Sequence, residues 1–515
     1  MTNQQKDNLF VLVKSLSKSE KRQFKLYVGR LGGNTDSKFL ALFNLLDKLN
    51  KYNEASILKS GIVKKAQLSN LKAHLYKQLL ISLRLNPLHQ NIRLQVREQL
   101  DFATILYHKG LYKQSLKTLD KAKNMAISNE EKNIAFEIVE LEKVIESQYI
   151  TRSISNRADE LTEQAKWLSI QNTIASKLSN LSLQLYGILL KTGYIKNDEE
   201  YKTITTYFND RMPKFKIEEL GFREKLWLYK SHLWYSFLTQ DFLSCYKYAG
   251  KWVEMFYGNE SMITLNPVFF LKGNNYLLES LFFIKYHSKF KASLKKLEDI
   301  IHHSALLPNE DNVAVLSFLY VYNNKLNLHF LEGAFKEGLP LVDEILKGIK
   351  QYPNRIDEHH VMVFYYKIAS LYFGAGDSKK CIEYLEKIIN NRSLQMREDL
   401  LCFSRILSLV AHYEVGLDYH LDVQLKSTYK FLIKMNDLHE VQKEMIKFLK
   451  SLGDIYPHQL KKEFIKLHAK LKTYEDDPFE RRAFLYLDIL SWLESKIENR
   501  PVDEIIQEKF LILKR

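Results

Sequence analysis

Residues 365–389 read YYKIASLYFGAGDSKKCIEYLEKII, and this stretch decides the fold. Apolar side chains recur every three or four residues on both sides of Gly376-Asp377, which is the period of an amphipathic helix. The glycine and the aspartate predict a turn, and the small side chain of Ala369 allows the paired helix to approach closely. The stretch therefore predicts two helices joined as a hairpin.

The same pattern recurs between residues 91 and 470. Residues 100–122 place Ala103, Gly110 and Ala122 at the corresponding positions. The chain has only 18 glycines and 9 prolines in 515 residues, which is typical of helices with short polar connections. Further turns are predicted near Thr151, Gly193, Gln240-Asp241, Ser288-Lys289, Gly333-Ala334, Gly416-Leu417 and Gly453.

These hairpins resemble the tetratricopeptide repeat, a helix–turn–helix unit that stacks into a superhelix. The predicted turns recur every 37–48 residues, against about 34 in strict repeats, so the repeats are divergent. The resemblance implies an all-α, TPR-like, right-handed superhelix over residues 91–470. Residues 471–515 predict two more helices, from Asp477-Pro478 to Ile497 and from Arg500-Pro501 to Phe510, which would cover the last repeat.

In tetratricopeptide arrays the first helix of each unit lines a concave groove that binds a peptide or protein segment. The groove positions implied by the resemblance are Trp227, Lys230, Trp234, Phe237, Asn275, Leu278, Phe282, Lys285, Tyr320, Asn323, Asn327, Phe330, Val363, Tyr366, Ser370 and Phe373. Aromatic rings and asparagine amides suit an extended peptide, because an amide can bond both the N–H and the C=O of a backbone.

An alternative interpretation of Trp227 and Trp234 is that they belong to the core, as aromatic residues at helical spacing usually do. Asn323 and Asn327 share one helical face, and burying two amides without partners is costly. We therefore expect these two asparagines to face water or a ligand.

Residues 1–90 carry sixteen basic and five acidic side chains, so +11 of the formal net charge of +15 lies there. Ser17-Lys-Ser-Glu20 is a capping box that predicts a helix to about Gly29. Further helices are predicted from Asp36-Ser37 to Leu49, over Glu54–Lys59, and from Ala66 to Leu85. The sequence therefore predicts a basic helical bundle over residues 1–90.

This basic segment has two interpretations. Lys18, Lys21, Arg22 and Lys25 form one stripe at helical spacing. Residues 54–75 have the form of a helix–turn–helix whose second helix would present Lys64, Lys65, Asn70, Lys72 and Lys77 to nucleic acid. The alternative is a bundle whose lysines lie on a solvated face, and another acidic partner would also fit the charge.

Several classes of protein are not favoured. The sequence lacks the phosphate-binding, dinucleotide-binding, zinc-protease and serine-hydrolase motifs, and Cys245, Cys381 and Cys402 have no metal-ligand spacing. The histidine pairs His302-His303 and His359-His360 are predicted to be solvated loop residues. We expect no enzyme activity, cofactor, metal or membrane segment, and a cytoplasmic protein.

Two functions remain open on the sequence alone. The first is a non-catalytic scaffold or adaptor that binds a peptide or protein segment in the concave groove of the repeats. The second is a nucleic-acid-associated regulator, in which the basic N-terminal helices contact nucleic acid and the repeats sense a partner.

Overall fold

The structure is a computed structural model, and it shows an all-helical chain in which helices pack against their neighbours. The predicted all-α class is confirmed for the described residues, which contain no strand. These residues are 7–30, 38–86, 91–148, 156–303, 305–308, 310–352, 355–391, 398–416, 418–434, 440–452, 455–480, 484 and 488–513. The chain divides into two compact units, Met1–Leu168 and Ser169–Arg515.

The first unit begins with five helices that share one apolar core built on Phe24, Leu42, Phe43 and Leu75. Its helices are α1 (Asn8–Ser15), α2 (Lys18–Arg30), α3 (Lys38–Lys48), α4 (Glu54–Lys59), α5 (Lys65–Arg84), α6 (Ile92–His108), α7 (Tyr112–Ser128) and α8 (Lys132–Gln148). Helix α9 (Arg157–Thr192) runs through the boundary between the two units.

The helix starts predicted near the N-terminus are confirmed by their caps. Ser17 Oγ accepts from the Glu20 N–H at 3.2 Å, and the Glu20 carboxylate accepts from the Ser17 N–H at 2.7 Å. This is the reciprocal capping box expected from the sequence. Asn53 caps α4 in a similar way, accepting from the Ser56 N–H at 3.2 Å. The helix start predicted at Asp36-Ser37 lies outside the described residues.

The second unit consists of α-helices joined by short connections. They are α10 (Asp198–Arg211), α11 (Phe222–Leu238), α12 (Phe242–Tyr257), α13 (Ser261–Leu265), α14 (Pro267–Phe283), α15 (His287–His303), α16 (Asp311–Glu332), α17 (Phe335–Gly338), α18 (Pro340–Gln351), α19 (Glu358–Gly374), α20 (Ser378–Ile389), α21 (Glu398–Val415), α22 (Asp418–Lys434), α23 (Glu440–Ser451), α24 (Pro457–Lys472), α25 (Ile489–Glu498) and α26 (Val502–Leu513). Consecutive helices such as α11 and α12, or α19 and α20, pack side by side as pairs.

A common turn ends the first helix of several pairs. One residue adopts the left-handed conformation, and the next N–H donates to the carbonyl five residues earlier at 2.8–3.0 Å. This bond satisfies a carbonyl that the helix end leaves free. The left-handed residues of these turns are Gly110, Glu130, Gln240, Lys285, Gly333 and Gly376.

Most predicted turns lie where the sequence placed them, and one does not. The turn predicted at Ser288-Lys289 is wrong, because Lys285 takes the left-handed conformation and α15 already begins at His287. The structure also has a turn at Glu130 that the sequence did not predict. The predicted turns at Thr151 and Gly453 lie outside the described residues.

The two C-terminal helices contact different parts of the second unit. Helix α25 packs against α24, and its Trp492 Nε1–H donates to the Glu414 carboxylate at 2.6 Å. Helix α26 packs against α25 and also contacts α16, where the Gln507 side chain donates to the Gly333 carbonyl at 3.1 Å. That the two helices cover the last repeat stays a prediction. Helix α25 begins at Ile489, and the segment predicted to be helical from Asp477 includes residues 481–483 and 485–487, which lie outside the described residues.

Gly273 on α14 provides a test of this packing. A Cβ added there would lie 2.8 Å from Nε1 of Trp252, a fully buried ring on α12. We expect Gly273→Ala to lower the free energy of unfolding by about 1–3 kcal/mol because the ring has no space to move away. Urea denaturation followed by circular dichroism measures the change.

Gly250, two residues before Trp252 on the same helix, is the matched control. A Cβ at Gly250 meets nothing within 4 Å. Gly250→Ala should raise the free energy of unfolding by about 0.5–1 kcal/mol, as alanine does in a helix interior. If both variants change stability alike, the close packing of α14 on Trp252 is contradicted.

Candidate functional site

The second unit contains a cavity of about 1040 Å³ that is partly open to solvent. Its walls come mainly from α14, α16 and α19, with contributions from α9, α11 and α26. Aromatic rings make up much of the lining, and they are Tyr186, Tyr194, Trp234, Phe237, Tyr276, Phe282, Phe283, Tyr286, Tyr320, Phe330, Phe335, Phe364, Phe373, Phe484, Phe510 and Tyr366. A concave, largely apolar site of this size is typical of a ligand-binding pocket.

Most of the predicted groove residues meet at this cavity. Those that line it are Trp234, Phe237, Asn275, Phe282, Lys285, Tyr320, Asn323, Asn327, Phe330, Val363, Tyr366, Ser370 and Phe373. Leu278 does not line it, because this side chain is buried in the core between helices. Trp227 and Lys230 also lie outside the cavity lining.

Several charged residues of the cavity are not among the predicted groove positions, and they include Glu279 and Lys367. Glu279 was missed because the turn after α14 was placed three residues too late. When the four groove positions of this unit are counted back from Lys285, the left-handed residue of the turn, they become Lys272, Asn275, Glu279 and Phe282. Lys367 follows the predicted position Tyr366 directly, and no pattern in the sequence distinguishes it from other lysines on helices.

A chain of polar side chains crosses the cavity wall from α14 to α19. Asn324 donates to the Asn275 Oδ1 at 3.0 Å, and Asn327 donates to the Asn324 Oδ1 at 3.2 Å. Lys367 then donates to the Asn327 Oδ1 at 2.5 Å and to the Asn323 carbonyl at 3.3 Å. The expectation for Asn327 needs correction, since this amide is only 4% exposed and is satisfied by protein groups.

The ammonium of Lys367 is buried within this network. Burial lowers the pKa of Lys367 to about 7, and the negative charge of Glu279 opposes that change. Burial, followed by the charge of Glu279, raises the pKa of Tyr320 to about 12, so its hydroxyl keeps its proton. The cavity thus combines a cation, an anion and neutral hydroxyl groups within apolar walls.

Among the described residues of the cavity wall, the Nε1 of Trp234 and the Oδ1 of Asn323 are buried without a hydrogen-bond partner. Trp234 is 6% exposed and contacts the rings of Tyr186, Phe237 and Tyr276 at centroid distances of 4.7–5.8 Å. The tryptophan is therefore part of the core and part of the cavity wall at once. A buried donor and a buried acceptor without partners destabilise the folded chain, and a ligand that forms hydrogen bonds with both atoms would remove this cost.

Trp227 and Lys230 lie on α11 in a different environment. The Lys230 Nζ is 4.6 Å from the centroid of the Trp227 ring, which contacts Phe269. Trp227 also packs with the apolar cluster of Leu178, Leu220 and Leu228.

The predicted nucleic-acid contacts on α2 lie together at the surface. Lys18, Lys21, Arg22 and Lys25 line one shallow depression with Leu26. Lys21 is paired with Asp47 at 2.7 Å, while Lys18, Arg22 and Lys25 are exposed.

The nucleic-acid contacts predicted on and just before α5 differ in their exposure to solvent. Lys64, Lys65, Asn70 and Lys77 are exposed. Lys72 is not available in the same way, because its ammonium is paired with Asp7 and bonds the Tyr52 hydroxyl at 3.1 Å.

The structure corrects the placement of the two histidine pairs. His302 and His303 end α15, and His359 and His360 lie in the first turn of α19, so neither pair is in a loop. Among the described residues, no three histidine, cysteine or acidic side chains lie close enough to hold a metal ion. Within the same residues, no helix has the length and apolar character needed to cross a membrane.

Comparisons of the chain with protein-family models, with curated proteins and with solved structures found no match.

The buried Lys367 gives a prediction about pH and stability. Its pKa in the folded chain is about 7, below the ordinary value of 10.5. Between these values the unfolded chain binds the proton more strongly, so the stability of the wild type rises with pH. Between pH 6 and pH 9.5, the free energy of unfolding of the wild type should increase by more than about 1 kcal/mol relative to that of Lys367→Met. Urea denaturation at both pH values measures this difference.

Lys379→Met on the neighbouring helix α20 is the control, because Lys379 is exposed. Its stability difference from the wild type should stay constant over the same range. A constant difference for Lys367→Met as well would mean that Lys367 is not buried as the structure shows.

Proposed function

We propose that this chain is a non-catalytic scaffold or adaptor whose second unit binds a peptide segment of a partner protein in the cavity. In this proposal the helix pairs form a divergent TPR-like superhelix, and α14, α16 and α19 supply the binding wall. The three cysteines are few, widely separated along the chain and buried, which favours a cytoplasmic protein.

The observation that carries the proposal is the pair of unsatisfied polar atoms in an aromatic wall. Trp234 offers a donor and Asn323 offers an acceptor. A peptide backbone presents both a carbonyl and an N–H, so it can satisfy both atoms. The aromatic rings around them would contact the apolar side chains of the segment and exclude water from these bonds.

The hydrogen bonds already present in the wall support the same proposal. The amides of Asn275, Asn324 and Asn327 are fixed by one another and by Lys367. Side chains fixed before binding lose little conformational entropy when the ligand arrives. A network of this kind therefore suits recognition of a defined segment better than adhesion to many surfaces.

A displayed library of random dodecapeptides, selected on the full chain, tests this function. We expect the selected peptides to bind the wild type and to bind Trp234→Phe and Asn323→Ala at least about fivefold more weakly, since each variant removes one hydrogen-bonding group. Phenylalanine keeps an aromatic ring at position 234 but lacks the Nε1–H, so a loss of affinity in Trp234→Phe reports the hydrogen bond that this donor makes. Calorimetric titration of each purified variant measures the affinity.

Trp227→Phe is the matched control, because Trp227 lies on the same helix α11 but outside the cavity lining. It should bind the selected peptides as the wild type does. The proposal fails if no peptide is selected, or if all three variants bind equally well.

A second candidate function is nucleic-acid binding by the first unit. The basic residues of α2 gather in one depression, where Lys18, Arg22 and Lys25 are exposed. Phosphate contacts need cations that reach the surface without an internal partner. Lys64, Lys65 and Lys77 on α5 could add to this surface, whereas Lys72 is engaged by Asp7.

The double variant Lys18→Glu/Arg22→Glu tests the second candidate. If this surface contacts phosphates, its affinity for a 20-base-pair DNA duplex should fall at least about tenfold, and the salt dependence should become shallower by about two ion equivalents. Fluorescence anisotropy at several salt concentrations measures both. Lys113→Glu, an exposed position on α7, is the control. This candidate function is excluded if the wild type does not bind the duplex, or if the wild type and the double variant show equal salt dependence.

A further inference from the structure

Three lysines line the cavity at places where the chain turns between helices. Lys191 lies in the last turn of α9, Lys196 follows that helix, and Lys285 is the left-handed residue of the turn after α14. Lys191 and Lys285 are exposed, and Lys196 is half-buried. We call these three residues the cationic rim, because they border the cavity and remain open to solvent.

Direct contacts place the turns that carry the cationic rim along one edge of the second unit. After α9, the Ile195 N–H donates at 3.1 Å to the carbonyl of Leu238, the last residue of α11. The turn from α11 leads to Phe242, whose ring centroid lies 4.8 Å from that of Phe283 at the end of α14. Lys285 follows Phe283 by two residues. The cationic rim therefore extends over neighbouring turns at one edge of the cavity.

The positive charge of this edge is not neutralised by its own surroundings. Within the part of the chain that the structure describes, no carboxylate forms an ion pair with Lys191 or Lys285. Among the described residues of the lining, the acidic side chains are Glu279 and Asp488. Glu279 lies more than one helical turn before the end of α14, and Asp488 caps α25 by accepting from the Ser491 N–H at 2.9 Å. Lys191 and Lys285 are therefore available to an acidic ligand.

The backbone of Lys285 adds an independent observation. Its φ of 54° lies in the left-handed region, where a residue with a side chain is strained and glycine is not. Glycine occupies the corresponding position in the turns at Gly110, Gly333 and Gly376. A lysine that takes this strained conformation at the border of a cavity favours a role of its side chain in binding.

We propose that the bound partner segment is acidic beside its apolar part, and that its aspartate or glutamate side chains pair with Lys191 and Lys285. This inference rests on the proposed function, because the apolar side chains of the same segment occupy the aromatic cavity. Carboxylates match the cationic rim in charge, and the exposed lysines meet them without the desolvation cost of a buried ion pair. The positive edge also attracts an acidic segment before contact, which speeds association.

The composition of random dodecapeptides selected on the full chain tests this proposal. We expect the selected peptides to contain at least about twice as many acidic residues as the unselected library, since the cationic rim favours them. The most enriched peptide is then compared with a neutral form that has asparagine for aspartate and glutamine for glutamate. Calorimetric titration should show at least about fivefold weaker binding of the neutral form at low salt, and a smaller difference at about 0.5 M salt, because salt screens exposed charges.

The double variant Lys191→Glu/Lys285→Glu identifies the lysines that bind the acidic peptide. Its affinity should be at least about fivefold lower than that of the wild type, because two attractive contacts become repulsive. Lys202→Glu/Lys295→Glu is the matched control, since it makes the same change in net charge at exposed positions of α10 and α15 outside the cavity lining. The control should stay within about twofold of the wild type, as distant exposed charges are screened.

Lys285→Gly provides a second readout that separates binding from stability. Glycine adopts the left-handed conformation without strain, so the midpoint of urea denaturation should rise. The affinity for the acidic peptide should nevertheless fall at least about twofold, because one cation of the rim is lost.

The outcomes distinguish this inference from the proposed function. The inference is overturned if the selected peptides require Trp234 and Asn323 but are not enriched in acidic residues, and the proposed function then still stands. It is also overturned if Lys191→Glu/Lys285→Glu binds the acidic peptide as tightly as the wild type, or if both double variants lose affinity equally. If no peptide is selected, the proposed function and the inference both fail.

Discussion

One type of hydrogen bond closes the turn in several of the helix pairs. It joins the N–H that follows a left-handed residue to the carbonyl five residues earlier, and it reverses the chain within a few residues. Glycine adopts this conformation at Gly110, Gly333 and Gly376, but Gln240 and Lys285 also adopt it. A left-handed conformation costs about 1–2 kcal/mol for residues with a side chain, so the packing of the paired helices must hold these turns in place.

Much of the fold could be predicted from the sequence, because helical periodicity and capping are local properties. The capping box at Ser17 and the turn at Gly376 are both visible within a few residues. The turn at Lys285 was misplaced because lysine is not a typical left-handed residue, so no local signal marked it. That error of three residues also hid Glu279, which shows how a local error in register changes the predicted site.

The site itself was predictable only in part. The resemblance to the tetratricopeptide repeat implied Asn275, Asn323 and Asn327, and all three line one cavity. The bonds of Asn275 with Asn324 and of Asn327 with Lys367 were not predictable, because each joins helices that lie 40–49 residues apart along the chain. The same holds for Lys367 and for the return of α26 to Gly333, which depend on tertiary contacts that periodicity does not encode.

The position of α26 has a consequence for the order in which the chain is made. Val502, Ile506 and Phe510 complete the wall of a cavity whose other sides are formed by α14, α16 and α19. Gln507 bonds a carbonyl 174 residues earlier in the sequence. Because synthesis proceeds from the N-terminus, the three earlier helices emerge and can pack before this wall exists. A nascent chain therefore exposes this aromatic surface to solvent until α26 has been synthesised. Binding of a chaperone to that surface would protect the chain from aggregation during this interval.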